Sequence, residues 1–201
     1  MRKTEIMKRL GVTGGMGSGK SYVCRVLTEG FGIPVYNCDI RARIITLTDI
    51  DVIDALTALD KDLYDEQNQL DKVHLAQYMF SSEEHYKQVN QIIHPAVRDD
   101  LREWMSLRHA PLVAVESAIL YESHFETEVD HVLFVDAPLE VRVQRIMARD
   151  GLEQAQIKQR LQRQHPEAAR QRADYVLMND GQTNVKQQLK SILRSLVPEI
   201  L

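Results

Sequence analysis

Four glycines fall within six positions of the stretch GVTGGMGSGKSY, residues 11 to 22, and Lys20 and Ser21 follow them at once. Glycine loses the most backbone freedom on folding, so a cluster of it needs a physical reason. Gly14, Gly19, Lys20 and Ser21 fit the spacing Gly-x-x-x-x-Gly-Lys-[Ser/Thr], which requires a strand before it and a helix after it. Both are legible. RLGVT, residues 9–13, reads as a short buried strand, and KSYVCRVLTEG, residues 20–30, places Val23, Val26 and Leu27 at helical spacing. Gly30 and Gly32 supply stop signals for that helix. The composition follows from the chemistry of polyphosphate binding. Phosphate oxygens are surrounded by backbone N–H groups, which side chains would screen, and the start of the following helix adds positive potential. Gly15, Gly17, Ser18, Gly19, Lys20, Ser21 and Tyr22 are therefore expected to hold a nucleoside triphosphate. Lys20 faces the β- and γ-phosphates, and Ser21 offers a hydroxyl to Mg²⁺.

The remaining strands are short apolar runs. IPVYNCD (33–39) ends at Asp39, PLVAVES covers 111–117, HVLFVDAP covers 131–138, and ADYVLMNDG (173–181) closes on a turn signal. Near-continuously apolar strands separated by helical stretches predict an α/β fold with a five-stranded parallel sheet covered on both faces. No strand signal occurs between Asp39 and Pro111. The expected organisation is one chain with a core of about 1–39, 109–138 and 173–201, a helical insertion of about 40–108, and a polar helical lid of about 139–172.

Composition narrows the function. Lys and Arg number 25 against 29 Asp and Glu, a net charge of −4, so no global positive field is available for nucleic acid or an anionic membrane. Two cysteines, Cys24 and Cys38, are too few for a disulfide framework, and no Cys/His group has zinc-ligand spacing. No signal-peptide core and no membrane-length apolar run is present, which points to a cytoplasmic setting. A guanine-reading Asn-Lys-x-Asp is missing, and a motor ATPase calls for a longer chain. A small-molecule kinase needs a phosphate cradle, an acid beside the acceptor hydroxyl and an arginine-bearing lid. Asp39 is the candidate acid, equally readable as the cap of a helix starting near Ile40, and Arg43, one turn on, is a candidate grip for an anionic substrate or a solvated partner of Asp39. Arg142, Arg145 and Arg149 form a basic stripe at helical spacing, followed by Arg160 and Arg163.

These residues together resemble the dephospho-CoA kinase family over nearly the whole chain. GVTGGMGSGKS is similar to that family's opening, and IPVYNCDIRAR to its Ile-Pro-Val-Ile-Asp-Ala-Asp-x-x-Ala-Arg, with Asp39 and Arg43 in register. IIHPAV matches a family His-Pro at His94 and Pro95. SAILYE matches a stretch ending on Glu122, RIMARDG matches the lid, and VLMNDG matches the closing motif at Asn179 and Gly181. The resemblance implies transfer of the ATP γ-phosphoryl to the ribose 3′-hydroxyl of dephospho-CoA. Asp39 is then the base, Lys20, Arg145 and Arg149 neutralise phosphate charge, Asn179 and Gly181 help hold ATP, and Asp39, Arg43, His94 and Glu122 face the substrate. Three positions depart from the pattern: Asn37 replaces the first family Asp, Ala118 a Pro, and Glu116 stands at the third strand's end. Ser21 is the expected Mg²⁺ ligand, and Glu116 reads either as holding a water of that ion or as a helix cap or surface acid. His94 is equally readable as an extended residue before a helix begun by Pro95. Rival readings are a related kinase for a nucleoside, sugar or shikimate-like acceptor, and a non-catalytic nucleotide-binding regulator.

Overall fold

Strand β1, Lys8–Thr13, runs directly into the glycines, and its position decides the architecture. It pairs in parallel with β3 (Leu112–Glu116) on one side and β4 (His131–Asp136) on the other, with Leu10 opposite Ala114 and His131. β5 (Tyr175–Met178) extends the sheet beyond β4, again in parallel, and β2 (Val35–Asn37) lies beyond β3, giving the order β2-β3-β1-β4-β5. The computed structural model describes residues 7–151, 153, 156, 157, 161 and 166–198. All five expected strands are present, β1 beginning one residue earlier than read and the other four with trimmed ends. β3 is buried at every position, as a central strand covered on both faces must be.

Helix α1 (Lys20–Phe31) and the C-terminal helix, Val185–Leu196, cover one face of the sheet. Their buried residues Val23, Leu27, Leu189 and Leu193 meet Leu10, Val12, Leu133 and Val135 in one cluster, each without solvent exposure. α1 ends where Gly32 adopts a left-handed conformation and its N–H caps the last turn. A smaller cluster of Val143, Ile146, Ile157 and Leu161, with Met16 packed against it, joins the phosphate loop to the helix Leu139–Asp150.

The chain divides into two compact units: residues up to Tyr36 with those from His109 onward, and residues Asn37–Arg108. The second unit is helical. α2 (Cys38–Thr48), α3 (Ile50–Leu59) and α4 (Lys72–Ser81) all pack on α5 (Glu83–Ser106). α5 presents Val89, Ile93, Val97, Leu101 and Met105, four residues apart, as its buried stripe. Side chains of Asn37, Asp49, Asp71 and Ser82 cap the starts of these helices in turn. Tyr64 donates to the Thr46 carbonyl at 2.8 Å, and burial pushes its phenol up to about 12.

Two local expectations are corrected. The second strand stops at Asn37, because Asn37 turns its side chain onto the Ile40 N–H and starts α2 there. Asp39 is therefore in the first turn of α2, and Asn37 is its cap. Pro95 does not begin a helix but lies inside α5, so His94 is helical and half-buried.

The elements from α6 onward are α6 (Leu139–Asp150), α7 (Pro166–Arg172) and α8 (Val185–Leu196). Arg160 and Arg163 lie outside the described residues.

Candidate active site

The loop between β1 and α1 is held by side chains that bond its carbonyls. Lys20 Nζ donates to the Gly14 carbonyl at 2.8 Å. Arg142 Nε donates to the Met16 carbonyl at 2.8 Å, and Asn179 Nδ2 to the Ser18 carbonyl at 2.8 Å. Arg145 adds a 3.2 Å bond to the Ser18 carbonyl and a 3.4 Å bond to Asn179 Oδ1. Gly17 and Gly19 have φ of 76° and 91°, which a side chain would strain. They are also crowded. A Cβ on Gly17 would stand 2.7 Å from the Arg142 carbonyl, and one on Gly19 would fall on the Asn179 amide. Gly19 is the N-cap of α1, so the helix's positive end opens onto the loop. Ser18 is 1% exposed, with its N–H on the Gly15 carbonyl at 3.2 Å, so it braces the loop from within.

Glu116 ends β3 beside Val12, one strand over from the loop. The residue is 5% exposed, and its carboxylate accepts the Ser21 hydroxyl at 2.9 Å. Burial, then the neighbouring Glu116 carboxylate, push the Cys24 thiol far above its ordinary value. Two adjoining hard oxygen donors fit Mg²⁺, which keeps waters and is otherwise held by phosphate oxygens. Among the described residues no group of three or more His, Cys, Asp or Glu side chains is arranged around a metal. Ser21 and Glu116 thus fit Mg²⁺ as two of its oxygen donors.

Beside the loop, Gly19, Tyr22, Arg145, Asn179, Gly181 and Lys186 line a pocket of about 520 Å³, within the usual span of small-molecule sites. Asp180 shapes its rim by accepting the Gln182 and Thr183 N–H groups, and Asn184 caps α8 through the Gln187 N–H. Arg149 is not at this site. It is held by Asp150 at 2.7 and 2.9 Å, with 66% of its side chain exposed.

In the helical unit, Asp39 is exposed in the first turn of α2 and Arg43 is exposed one turn on. Arg43 lines a groove of about 340 Å³ with Leu47, Lys72, Leu75, Met79 and Phe80. Its neighbour Arg41 is engaged differently, forming an ion pair with Asp100 of α5. Glu122 is exposed in the turn after β3.

Residues 8–185 match the family model of dephospho-CoA kinase. A dephospho-CoA kinase of Bacteroides fragilis (strain YCH46) is 39% identical over 194 residues, covering 96% of this chain and 94% of its own. That of Porphyromonas gingivalis is 44% identical over 176 residues, covering 86% of both. Among solved structures, TT1252 from Thermus thermophilus superposes with a TM-score of 0.83 at 36% identity, over 95% of this chain and 98% of the other. The chain belongs to the dephospho-CoA kinase family. Seen as a dephospho-CoA kinase family member, its departures acquire structural sense. Asn caps a helix as well as Asp does, so Asn37 keeps the cap and drops only a charge. Ala118 is exposed and burdens nothing. Glu116 adds a buried acid against Ser21. Sequence reasoning placed Arg142 only in the lid stripe expected to meet transferring charge, whereas its Nε is on the Met16 carbonyl, and it passed over Thr183 and Lys186. Their signals, one arginine among several and an ordinary helix start, are common on solvated surfaces.

Proposed function

We propose that this chain transfers the γ-phosphoryl group of ATP to the ribose 3′-hydroxyl of dephospho-CoA, giving coenzyme A and ADP, the last step of coenzyme A synthesis. The observation that carries the reading is the family match over residues 8–185, and it is supported by a glycine loop that Lys20 holds at the Gly14 carbonyl and that meets the start of α1 at Gly19. In this reading the acceptor oxygen bonds to the γ-phosphorus as the bond to the bridging β–γ oxygen breaks. Asp39 takes the proton released by the hydroxyl. Lys20 and Arg145 neutralise charge on the transferring group, with Gly15, Gly17, Gly19, Ser21 and Tyr22 around the triphosphate. Ser21 and Glu116 would hold Mg²⁺, which would supply charge neutralisation on the triphosphate. Arg149 would join only after exchanging its Asp150 partner. His94 and Glu122 remain substrate-facing candidates.

The groove of the helical unit supports a long acceptor that is both anionic and apolar. Arg43 and Lys72 supply cationic ends, while Leu47, Leu75, Met79 and Phe80 supply apolar wall. Phe80 is 80% exposed, so its ring is available to an apolar part of such an acceptor. A cytoplasmic setting belongs to the same reading, supported by the substrate class and by two buried cysteines. Among the described residues no helix is long and apolar enough to cross a membrane.

The test is ADP release by purified protein with Mg-ATP and a panel of acceptors. Turnover with dephospho-CoA is expected. Turnover confined to a nucleoside, sugar or shikimate overturns the acceptor, and no turnover with any acceptor overturns the enzyme. Asp39→Asn is expected to lower kcat by about 10²–10⁴-fold, the usual contribution of a general base.

A further inference from the structure

We propose that Arg142 is a positioning residue for ATP, acting through the phosphate loop rather than on the phosphates. Its Nε donates to the Met16 carbonyl at 2.8 Å. The Met16 carbonyl and the Gly17 N–H belong to one planar trans peptide and point in opposite directions. Fixing the carbonyl toward α6 therefore fixes the Gly17 N–H to the other side of the loop, away from Arg142. Gly17 has φ of 76°, and a Cβ there would stand 2.7 Å from the Arg142 carbonyl, so this peptide is also held close against α6. The guanidinium also lies beside Gly15, where a Cβ would stand 2.5 Å from Nη2. Asn179 performs the same operation one peptide pair later. Its hold on the Ser18 carbonyl fixes the direction of the Gly19 N–H.

Arg142 is suited to this task by its surroundings. Burial pulls its guanidinium below the ordinary value, while the Asp136 carboxylate at the end of β4 pulls it back. Asp136 in turn accepts Arg170 of α7 at 3.0 Å and the Ala137 N–H at 2.9 Å. A desolvated cation beside a fixed carboxylate has little rotational freedom, and the carbonyl it holds shares that rigidity. The inference rests on the glycine loop being the ATP site, and not on the identity of the acceptor.

Two substitutions separate this role from simple charge. In Arg142→Gln the side-chain amide nitrogen occupies the place of Nε and can still meet the Met16 carbonyl, though the charge is gone. In Arg142→Lys the charge and stem remain, but a methylene occupies that place. Calorimetric titration with ATP, ADP and adenosine, without acceptor, reads the result. Arg142→Lys is expected to bind ATP and ADP about ten-fold more weakly, the worth of one charge-assisted hydrogen bond, with adenosine affinity unchanged. Arg142→Gln is expected to stay within about three-fold of the parent. At saturating ATP, kcat of Arg142→Lys should fall far less than kcat/KM. The opposite ranking, Lys like the parent and Gln weak, would mean a direct charge role and overturn the proposal. So would equal weakening of ATP and adenosine, or unchanged ATP affinity in both variants. Because binding is read without acceptor, these outcomes stay distinct from failure of the dephospho-CoA assay.

Discussion

Lys20 and Glu116 each make a contact that shapes the site and each have a chemical role in the proposed reaction. The Lys20 ammonium sits 2.8 Å from the Gly14 carbonyl, already at the phosphate loop. Lys20→Met should lower kcat by about 10²–10³-fold, the loss typical of one electrostatic stabiliser, measured as ADP release with dephospho-CoA. Glu116 is a buried carboxylate whose partner is the Ser21 hydroxyl. Glu116→Gln keeps the acceptor oxygen and removes the charge. The Mg²⁺ concentration for half-maximal activity should then rise about ten-fold, and Mn²⁺ bound with ATP, followed by electron paramagnetic resonance, should weaken in parallel. Unchanged metal dependence would remove Glu116 from the metal site. Cys24, whose thiol is pushed up by burial first, should resist iodoacetamide at pH 8 until the protein unfolds.

At the scale of elements, helix starts explain more than propensity does. Asn37 accepts the Ile40 N–H at 2.8 Å and so defines where β2 ends and α2 begins. Asn37→Ala should cost about 1 kcal/mol of stability in chemical denaturation, while Asn37→Asp should be near neutral. Helix α6 shows why a stripe is not a site. Arg142 and Arg145 lie in its first turns and reach the loop, whereas Arg149 lies about 10 Å further along the axis than Arg142 and pairs with Asp150. Periodicity placed all three on related faces, but distance along the helix separated them. Pro95 defeated local reasoning in another way. Proline usually starts or breaks a helix, yet α5 runs through it, because the buried stripe from Val89 to Met105 secures the helix on both sides.

Over the whole molecule, one ion pair ties the first strand to a distant turn. Arg9 donates to Asp130 through its backbone N–H at 2.8 Å, through Nε at 3.1 Å and through Nη2 at 2.7 Å. The Arg9 side-chain bonds hold the Asp130 carboxyl below the usual carboxylate range. A depressed carboxyl stabilises the fold above its unfolded value of about 3.9, and that contribution fades as pH falls through the lowered folded value. Asp130→Asn should therefore melt below the parent at pH 7, with the gap closing as the pH is taken under about 4. A gap that persists at low pH would show that the carboxylate charge is not the cause.

The glycine loop, the five strands and the helix after the loop were legible because each is a local pattern. Spacing, apolar runs and stop residues act over a few neighbours, and the chemistry of a phosphate cradle is written in consecutive residues. Other features had no local signature. The Asn179 amide lies on the Ser18 carbonyl, the Glu116 carboxylate on the Ser21 hydroxyl, and the Arg142 guanidinium on the Met16 carbonyl, each across 95 positions or more of chain. Those pairings depend on sheet order and on where each helix docks, and both are set by packing of the core rather than by any short stretch of residues.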